Sequence, residues 1–281
     1  MTAPDHYAVL GNPVSHSRSP WIHARFAALT GQNLRYEREL VPLDAFAATV
    51  RTLHAAGLRG CNVTVPFKFE AAALATRQTP EASLAQAANT LRWHDGELLA
   101  HNTDGLGLVR DLTEGAGLTL RGARILLLGA GGAAAGVLGA LLRAQPARLV
   151  LLNRHVERAH TLCQRHAELA MLQKVELTAQ DQQALAGKFD VIVNATAASL
   201  QGTPLLLDGR WLSDDALVYD MMYGAAARPF LDGAARLGAR TRDGLGMLVQ
   251  QAAASFELWR GITPPATQVL AELRALVDAG S

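Results

Sequence analysis

The stretch Arg124-Ile125-Leu126-Leu127-Leu128 runs directly into Gly129-Ala130-Gly131-Gly132-Ala133-Ala134. An apolar strand, a glycine turn and an apolar helix in unbroken succession read as the opening of a Rossmann-type dinucleotide-binding domain. In that reading Gly129 permits the tight turn and Gly131 lets backbone N–H groups approach a pyrophosphate. Ala134 lets the helix pack close to its sheet. The helix N-terminus adds unpaired donors and the positive end of its dipole.

The residues after the next strand, expected at 149–152, bear on which dinucleotide is bound. They are Asn153-Arg154-His155-Val156-Glu157-Arg158. No acid stands there to take a ribose 2′-hydroxyl, as NAD enzymes often require. Arg154 and Arg158 lie four apart, which predicts one face of a helix start. Guanidinium forks suit a phosphate better than a hydroxyl, so the expected cofactor is NADP. Two solvated arginines are the alternative.

Elsewhere short apolar runs alternate with helical patterns, as in β-α units around a parallel sheet. Strands are expected at 6–10, 34–40, 60–65, 189–194 and 216–220, and a hairpin at 91–99 turning on Asp95-Gly96. Helices are expected from Ser19-Pro20 to about Thr30, with Ser19 as N-cap, and at 43–55, 245–260 and 265–278. Thr79-Pro80-Glu81 opens another. The functional boundary is placed near Asn102–Asp104.

Composition removes several classes. Of 281 residues, 26 are Lys or Arg and 25 Asp or Glu, a formal charge of +1, so no basic excess favours nucleic acid. Hydrophobic residues make up 49%, yet no run approaches the ~20 apolar residues of a membrane span. The opening MTAPDHYAVLGNP shows no basic segment followed by an apolar block, so no leader is expected. Two cysteines, Cys61 and Cys163, fit a reducing compartment. The nine histidines form no H-E-x-x-H, and no catalytic metal is expected. No G-x-S-x-G elbow appears, which disfavours a serine hydrolase.

The first half concentrates polar residues in Ser17-Arg18-Ser19, in Asn62-Val63-Thr64-Val65-Pro66-Phe67-Lys68 and in Asn102-Thr103-Asp104-Gly105, with Asn89-Thr90 between the last two. The strand period puts Asn62 and Thr64 on one face. Such groups at a buried strand end need partners, and a polyhydroxylated ligand would supply them. Singly each has a plainer role: Lys68 on the surface, Asp104 as a helix cap, Asn62 and Asn89 as turn formers.

Taken in order, these segments resemble the shikimate dehydrogenase family along nearly the whole chain. The matching stretches include Gly11-Asn12-Pro13, His16-Ser17-Arg18-Ser19-Pro20, NVTVPFK at 62–68, Ala88-Asn89-Thr90 and Asn102-Thr103-Asp104-Gly105. GAGGA at 129–133, Asn153-Arg154, Asn194-Ala195-Thr196, Tyr219-Asp220-Met221-Met222-Tyr223 and DGLGMLVQQA at 243–252 continue the pattern. The resemblance implies a two-domain α/β enzyme. Residues 1–103, completed by helices in 244–281, would form the substrate domain, and 104–243 the Rossmann NADP-binding domain.

It further implies reversible, NADP-dependent reduction of 3-dehydroshikimate to shikimate, in cytoplasmic biosynthesis of aromatic amino-acid precursors. The substrate would sit in a cleft between domains. Ser17, Ser19 and Tyr223 would hold its carboxylate; Thr64, Lys68, Asn89, Asp104 and Gln251 would hold its ring hydroxyls. The cofactor would meet Gly129, Ala130, Gly131, Gly132, Ala133, Asn153, Arg154, His155, Arg158, Met221 and Gly244. Lys68 is expected as general acid and base, with Asp104 orienting it. No nucleic-acid or membrane partner is implied, and a homodimer is left open.

Three departures stand out: His101 where the family usually has Asp, His155 in place of Thr, and Ala197-Ala198-Ser199-Leu200 in place of a Ser/Gly-rich stretch. The alternatives are a paralogue using quinate, a non-catalytic NADP-sensing module, and a folate-type dehydrogenase, which Ser17, Ser19 and Gln251 fit poorly.

Overall fold

The computed structural model describes residues 3–196 and 207–279, so the departure at Ala197-Ala198-Ser199-Leu200 lies outside the described residues. The chain forms two compact units, Met1–Gly107 with Leu248–Leu273, and Leu108–Met247 with Arg274–Ser281. All three crossings fall inside helices: α5 (Asp104–Arg110), α9 (Leu245–Arg260) and α10 (Ala266–Ala279).

The first unit is built on β1 (Asp5–Gly11), β2 (Leu34–Leu40), β3 (Leu58–Val63), β4 (Arg77–Gln78), β5 (Thr90–His94) and β6 (Glu97–His101), ordered β2-β1-β3-β5-β6-β4. β1, β2 and β3 are parallel, and β5 turns back antiparallel to both β3 and β6. Asp95 and Gly96 both take positive φ at the hairpin tip, as a two-residue connection demands.

β1 is buried on both faces, which explains its unbroken apolar run. Ala8 and Leu10 join a core with Phe46, Phe67 and Leu91, while Tyr7 and Val9 face Tyr36 and Trp259. α1 (Ser19–Thr30), α2 (Phe46–Ala55), α3 (Lys68–Leu74) and α4 (Pro80–Ala85) complete this part. Three details differ from the sequence reading. Arg18, not Ser19, is the N-cap of α1, and its side chain makes no capping bond. α2 starts at Phe46 rather than 43. Short β4 and α3 carry too few residues for a periodic signal.

The second unit holds β7 (Arg124–Leu128), β8 (Arg148–Leu152), β9 (Glu176–Gln180), β10 (Phe189–Asn194), β11 (Leu212–Asp220) and β12 (Arg240–Asp243), with α6 (Gly132–Arg143), α7 (Val156–Gln173) and α8 (Arg228–Arg236). Its strands are all parallel, in the order β12-β11-β10-β7-β8-β9. The chain starts in the middle and winds outward in both directions. That is the doubly wound order in which a dinucleotide binds at the strand ends where the winding reverses. β9 and β12, which are largely exposed or half-buried, carry no apolar run and were not expected.

Two buried histidines contribute to the pH dependence of stability. His23, fully inside the first unit, has its pKa lowered to about 3, chiefly by burial, with Asn62 acting the other way. His166 in α7 is lowered to about 4, again chiefly by burial, opposed by its bond to the Leu162 carbonyl. Below the ordinary histidine value the unfolded chain takes up protons that these rings refuse, so stability falls as pH falls from about 6.5 towards those values. Urea unfolding between pH 7 and 5 should show about 1.4 kcal/mol lost per pH unit for each ring once below 6.5. A midpoint flat across that range contradicts both assignments.

Candidate active site

In the first unit the functional groups leave the sheet at the C-terminal ends of parallel strands. The loop after β1 leads into Ser17 and Ser19, and the Ser19 backbone N–H donates to Ser17 Oγ at 3.3 Å. Ser17 is half-buried and Ser19 buried. Thr64 follows β3, its N–H donating to the Leu10 carbonyl at 2.9 Å. A turn closed by the Phe67 N–H on the Thr64 carbonyl then delivers Lys68 as the first residue of α3.

Lys68 is not a surface lysine. Its side chain is 13% exposed, that of Asp104 6%, and Nζ donates to Asp104 Oδ2 at 2.5 Å. Asp104 is fixed from behind as well. Its N–H donates to Asn102 Oδ1 at 3.1 Å, and Asn102 Nδ2 donates to the Ala87 carbonyl at 2.8 Å. The second carboxylate oxygen accepts from Asn89 Nδ2 at 2.9 Å.

Asn89 is the hub. Its Oδ1 accepts from the Thr103 N–H at 2.9 Å and from Thr90 Oγ1 at 3.0 Å, which fixes the amide orientation. Its Nδ2 faces Thr103 Oγ1 at 2.8 Å, Asp104 Oδ1 at 2.9 Å and Gln251 Oε1 at 3.1 Å. Two hydrogens cannot fully serve three acceptors. Thr103 Oγ1 is itself a donor, to the Gln251 carbonyl at 3.1 Å, which leaves the Asn89 hydrogens for Asp104 and Gln251.

Ser255 was missed by the sequence reading because a serine within an alanine-rich helix gives no signal. It is fully buried, and its Oγ lies 2.9 Å from Asn62 Nδ2 and 2.7 Å from Thr90 Oγ1. Asn62 in turn accepts from Tyr36 Oη at 2.7 Å. His101 ends β6; its backbone carbonyl accepts from the Asn89 N–H at 3.1 Å. Burial, and then Arg92, lower the pKa of its ring, so it is neutral at pH 7 and adds no charge here. The ring lines a separate cavity of about 750 Å³ with Thr79, Arg92 and Trp259, which includes neither Lys68 nor Asp104.

The second unit brings the glycine turn to the reversal point. Gly129 has φ +109°, which favours glycine, and a Cβ there would press on Ala195 and Thr196 after β10 at 3.2–3.3 Å. A Cβ on Gly131 would meet nothing within 4 Å, leaving open space over the start of α6, as a pyrophosphate cradle needs. Gly132 and Ala133 begin that helix, and Ala130 is half-buried in the turn. Asn194 Nδ2 donates to Asp220 at 3.1 Å, and Asp220 accepts the Met222 N–H at 2.9 Å, so the end of β11 is held where Met221 emerges. Gly244 donates its N–H to the Met222 carbonyl at 2.8 Å, and any Cβ there would overlap the Met221 backbone. Tyr223 follows, at the start of a short turn. These features suit a dinucleotide.

One sequence expectation is corrected. Arg154 and Arg158 do not share a helical face, because α7 starts at Val156 with His155 at its N-cap and Arg154 stands before it. Asn153 Nδ2 closes that turn on the His155 carbonyl at 2.8 Å. Arg154, His155 and Arg158 are all exposed at the end of β8, the strand whose Leu152 carbonyl accepts the Gly129 N–H at 2.8 Å.

Three family models match the chain. One, described as the shikimate dehydrogenase substrate binding domain, covers residues 9–91; another, Shikimate / quinate 5-dehydrogenase, covers 111–205; the third, the Shikimate 5'-dehydrogenase C-terminal domain, covers 244–274. A protein of Acidovorax sp. (strain JS42) named shikimate dehydrogenase (NADP(+)) is 60% identical over 279 residues, 99% of each chain. The crystal structure of an Ael1 enzyme from Pseudomonas putida is similar at TM-score 0.86 and 42% identity, covering 96% of this chain and 98% of that one. Shikimate 5-dehydrogenase from Thermus thermophilus, solved with NADP(H) and shikimate, matches at TM-score 0.83 and 31% identity, with the same coverage.

Removing the Ser255 hydroxyl takes one acceptor from Asn62 Nδ2, which keeps the Asn89 carbonyl at 3.1 Å and Thr90 Oγ1 at 3.0 Å. Ser255→Ala is expected to lower unfolding free energy by about 0.5–1.5 kcal/mol, the net worth of an ordinary hydrogen bond, read from urea titration. A loss well under that range would mean the hydroxyl is not the node described.

Proposed function

Since the chain belongs to the shikimate dehydrogenase family, we propose that it catalyses the reversible, NADP-dependent reduction of 3-dehydroshikimate to shikimate. The observation that carries the chemical assignment is the buried Lys68–Asp104 pair with Asn89 behind it. When bound, NADPH supplies a hydride from C4 of its nicotinamide.

The chain's own residues supply the rest. As the ketone carbon gains hydride, negative charge gathers on its oxygen and a proton must reach it. Lys68 Nζ carries both the positive charge and the proton. Asp104 holds the ammonium in place through Oδ2 and balances its charge. In the reverse direction the same amine accepts the hydroxyl proton. Thr64, Asn89 and Gln251 take the ring hydroxyls together with Lys68 and Asp104. Ser17 and Ser19 take the carboxylate at the N-terminus of α1, where the positive end of the helix dipole favours an anion.

The first unit is assigned to the substrate and the second to the cofactor. Gly129, Ala130, Gly131, Gly132 and Ala133 would cradle the pyrophosphate. Met221 and Gly244 would border the nicotinamide. Asn153, Arg154, His155 and Arg158 would hold the adenosine 2′-phosphate. Arg154 would do so from the loop before α7 and Arg158 from its first turn, in place of the single helical face expected from their spacing. The reading places the enzyme in the cytoplasm, where the free thiols Cys61 and Cys163 would stay reduced.

Mixing the purified protein with shikimate and NADP+ and following absorbance of the reduced cofactor tests the activity directly; no turnover would end the reading. Lys68→Met should cut kcat by roughly 100- to 10,000-fold, and near-normal turnover in that variant would remove Lys68 from its role. Arg154→Ala should raise the KM for NADPH about tenfold or more while leaving that for NADH unchanged, since a charged contact is worth about 1.5–3 kcal/mol. An unaltered preference for NADPH would sink the 2′-phosphate assignment.

A further inference from the structure

The residues of the first unit assigned to the substrate carboxylate, Ser17 and Ser19, are both neutral. Desolvating a carboxylate against neutral hydroxyls is costly unless a cation stands near. Lys68 cannot serve, because its ammonium is matched to Asp104 at 2.5 Å.

Arg38 lies on β2, and its Nε and Nη2 both donate to the Ser17 backbone carbonyl, at 2.9 and 2.6 Å. Two donors of one guanidinium thus converge on a single oxygen, an arrangement that leaves Nη1 without a hydrogen bond among the described residues. Nor does Arg38 form an ion pair with any described carboxylate. Its strand neighbours Glu37 and Glu39 alternate to the opposite face, and Glu37 is paired with His6 at 2.8 Å. A positive charge that no described carboxylate pairs with is therefore held one peptide group from the Ser17 side chain, where α1 begins. Arg18, also exposed in this loop, makes no side-chain hydrogen bond or ion pair among the described residues and is not held in place.

We propose that Arg38 is a positioning and specificity-determining residue that makes the Ser17/Ser19 site select a carboxylate over a neutral group. It acts through Ser17, whose backbone it fixes, and through its charge. The inference rests on the proposed carboxylate role of Ser17 and Ser19. Sequence reading missed it because an arginine in a strand as charged as LRYEREL looks like a solvated side chain.

The test compares kcat/KM for shikimate and for its methyl ester, which keeps the ring hydroxyls and loses the charge, with NADP+ saturating. In the native enzyme shikimate should be strongly preferred. Arg38→Gln should raise the KM for shikimate about 10- to 100-fold, the range of a lost charge-assisted contact, with kcat within about twofold. Its kcat/KM for the ester should not change, so the preference collapses. Arg38→Lys should restore most of it, and Arg18→Gln should behave as native.

If Arg38→Gln lowers both substrates equally, Arg38 is merely structural and the inference fails. It also fails if the native preference survives in Arg38→Gln, or if Arg38→Lys is as poor as Arg38→Gln. A native enzyme that handles ester and acid alike, or oxidises neither, instead overturns the carboxylate reading beneath it.

Discussion

An ammonium and a carboxylate held together away from water are the constraint around which the first unit is arranged. Desolvating such a pair costs several kcal/mol per ion, and the mutual attraction repays this only when the remaining lone pairs and protons are satisfied. Asp104 meets that condition in three ways: Lys68 on one oxygen, Asn89 on the other, and a position at the first turn of α5, where the helix dipole favours an anion. Asn89 is held by Thr90 and Thr103, and through Thr90 and Ser255 the chain of bonds reaches Asn62 and Tyr36. A buried polar network of this kind is stable only when nearly every member is paired.

The second unit solves a similar problem. Asp111, buried just after α5, accepts from Tyr219 Oη at 2.7 Å and from Arg242 Nη2 at 2.5 Å. Tyr219 and Arg242 are register partners on β11 and β12, so one carboxylate ties two neighbouring strands near their ends. The Arg242 guanidinium is held above its usual range chiefly by that bond, and burial pushes the Tyr219 hydroxyl up, so both keep their protonation at any physiological pH. Asp243, next along, is raised by burial but lowered more by Arg274, leaving a net downward shift. Fixed strand ends are what a dinucleotide turn requires, because the backbone groups offered to a ligand move with the strands that carry them.

Legibility followed signal length. Arg124–Leu128 and Phe189–Asn194 are apolar runs bounded by turn residues, and both strands stand where the pattern puts them. Leu245–Arg260 likewise matches its helical pattern. β9 and β12 were invisible because edge strands need no apolar face, and their pairing depends on neighbours far away in sequence. The site divides the same way. Lys68, Asn89 and Asp104 stood out as polar residues in apolar surroundings, and they meet. Ser255 and Arg38 did not, since a small hydroxyl in a helix and a charge on a strand are ordinary until the tertiary fold brings each to its partners. The shared face of Arg154 and Arg158 failed for a local reason: spacing of four means one face only if the helix has already begun.

Charge distribution gives the proposed roles their final constraint. With 26 basic and 25 acidic residues, the protein has almost no net field to draw in anions, so long-range steering of two anionic ligands is weak. Exposed charges are screened over about 10 Å at ordinary ionic strength. Recognition of a carboxylate or a 2′-phosphate must then come from cations within a few ångströms, each placed by backbone rather than by bulk charge. Arg38 anchored on Ser17 has that placement in one unit, and Arg154 and Arg158 around the start of α7 have it in the other. Lys68, whose charge is already matched by Asp104, is thereby left for proton transfer instead of anion binding.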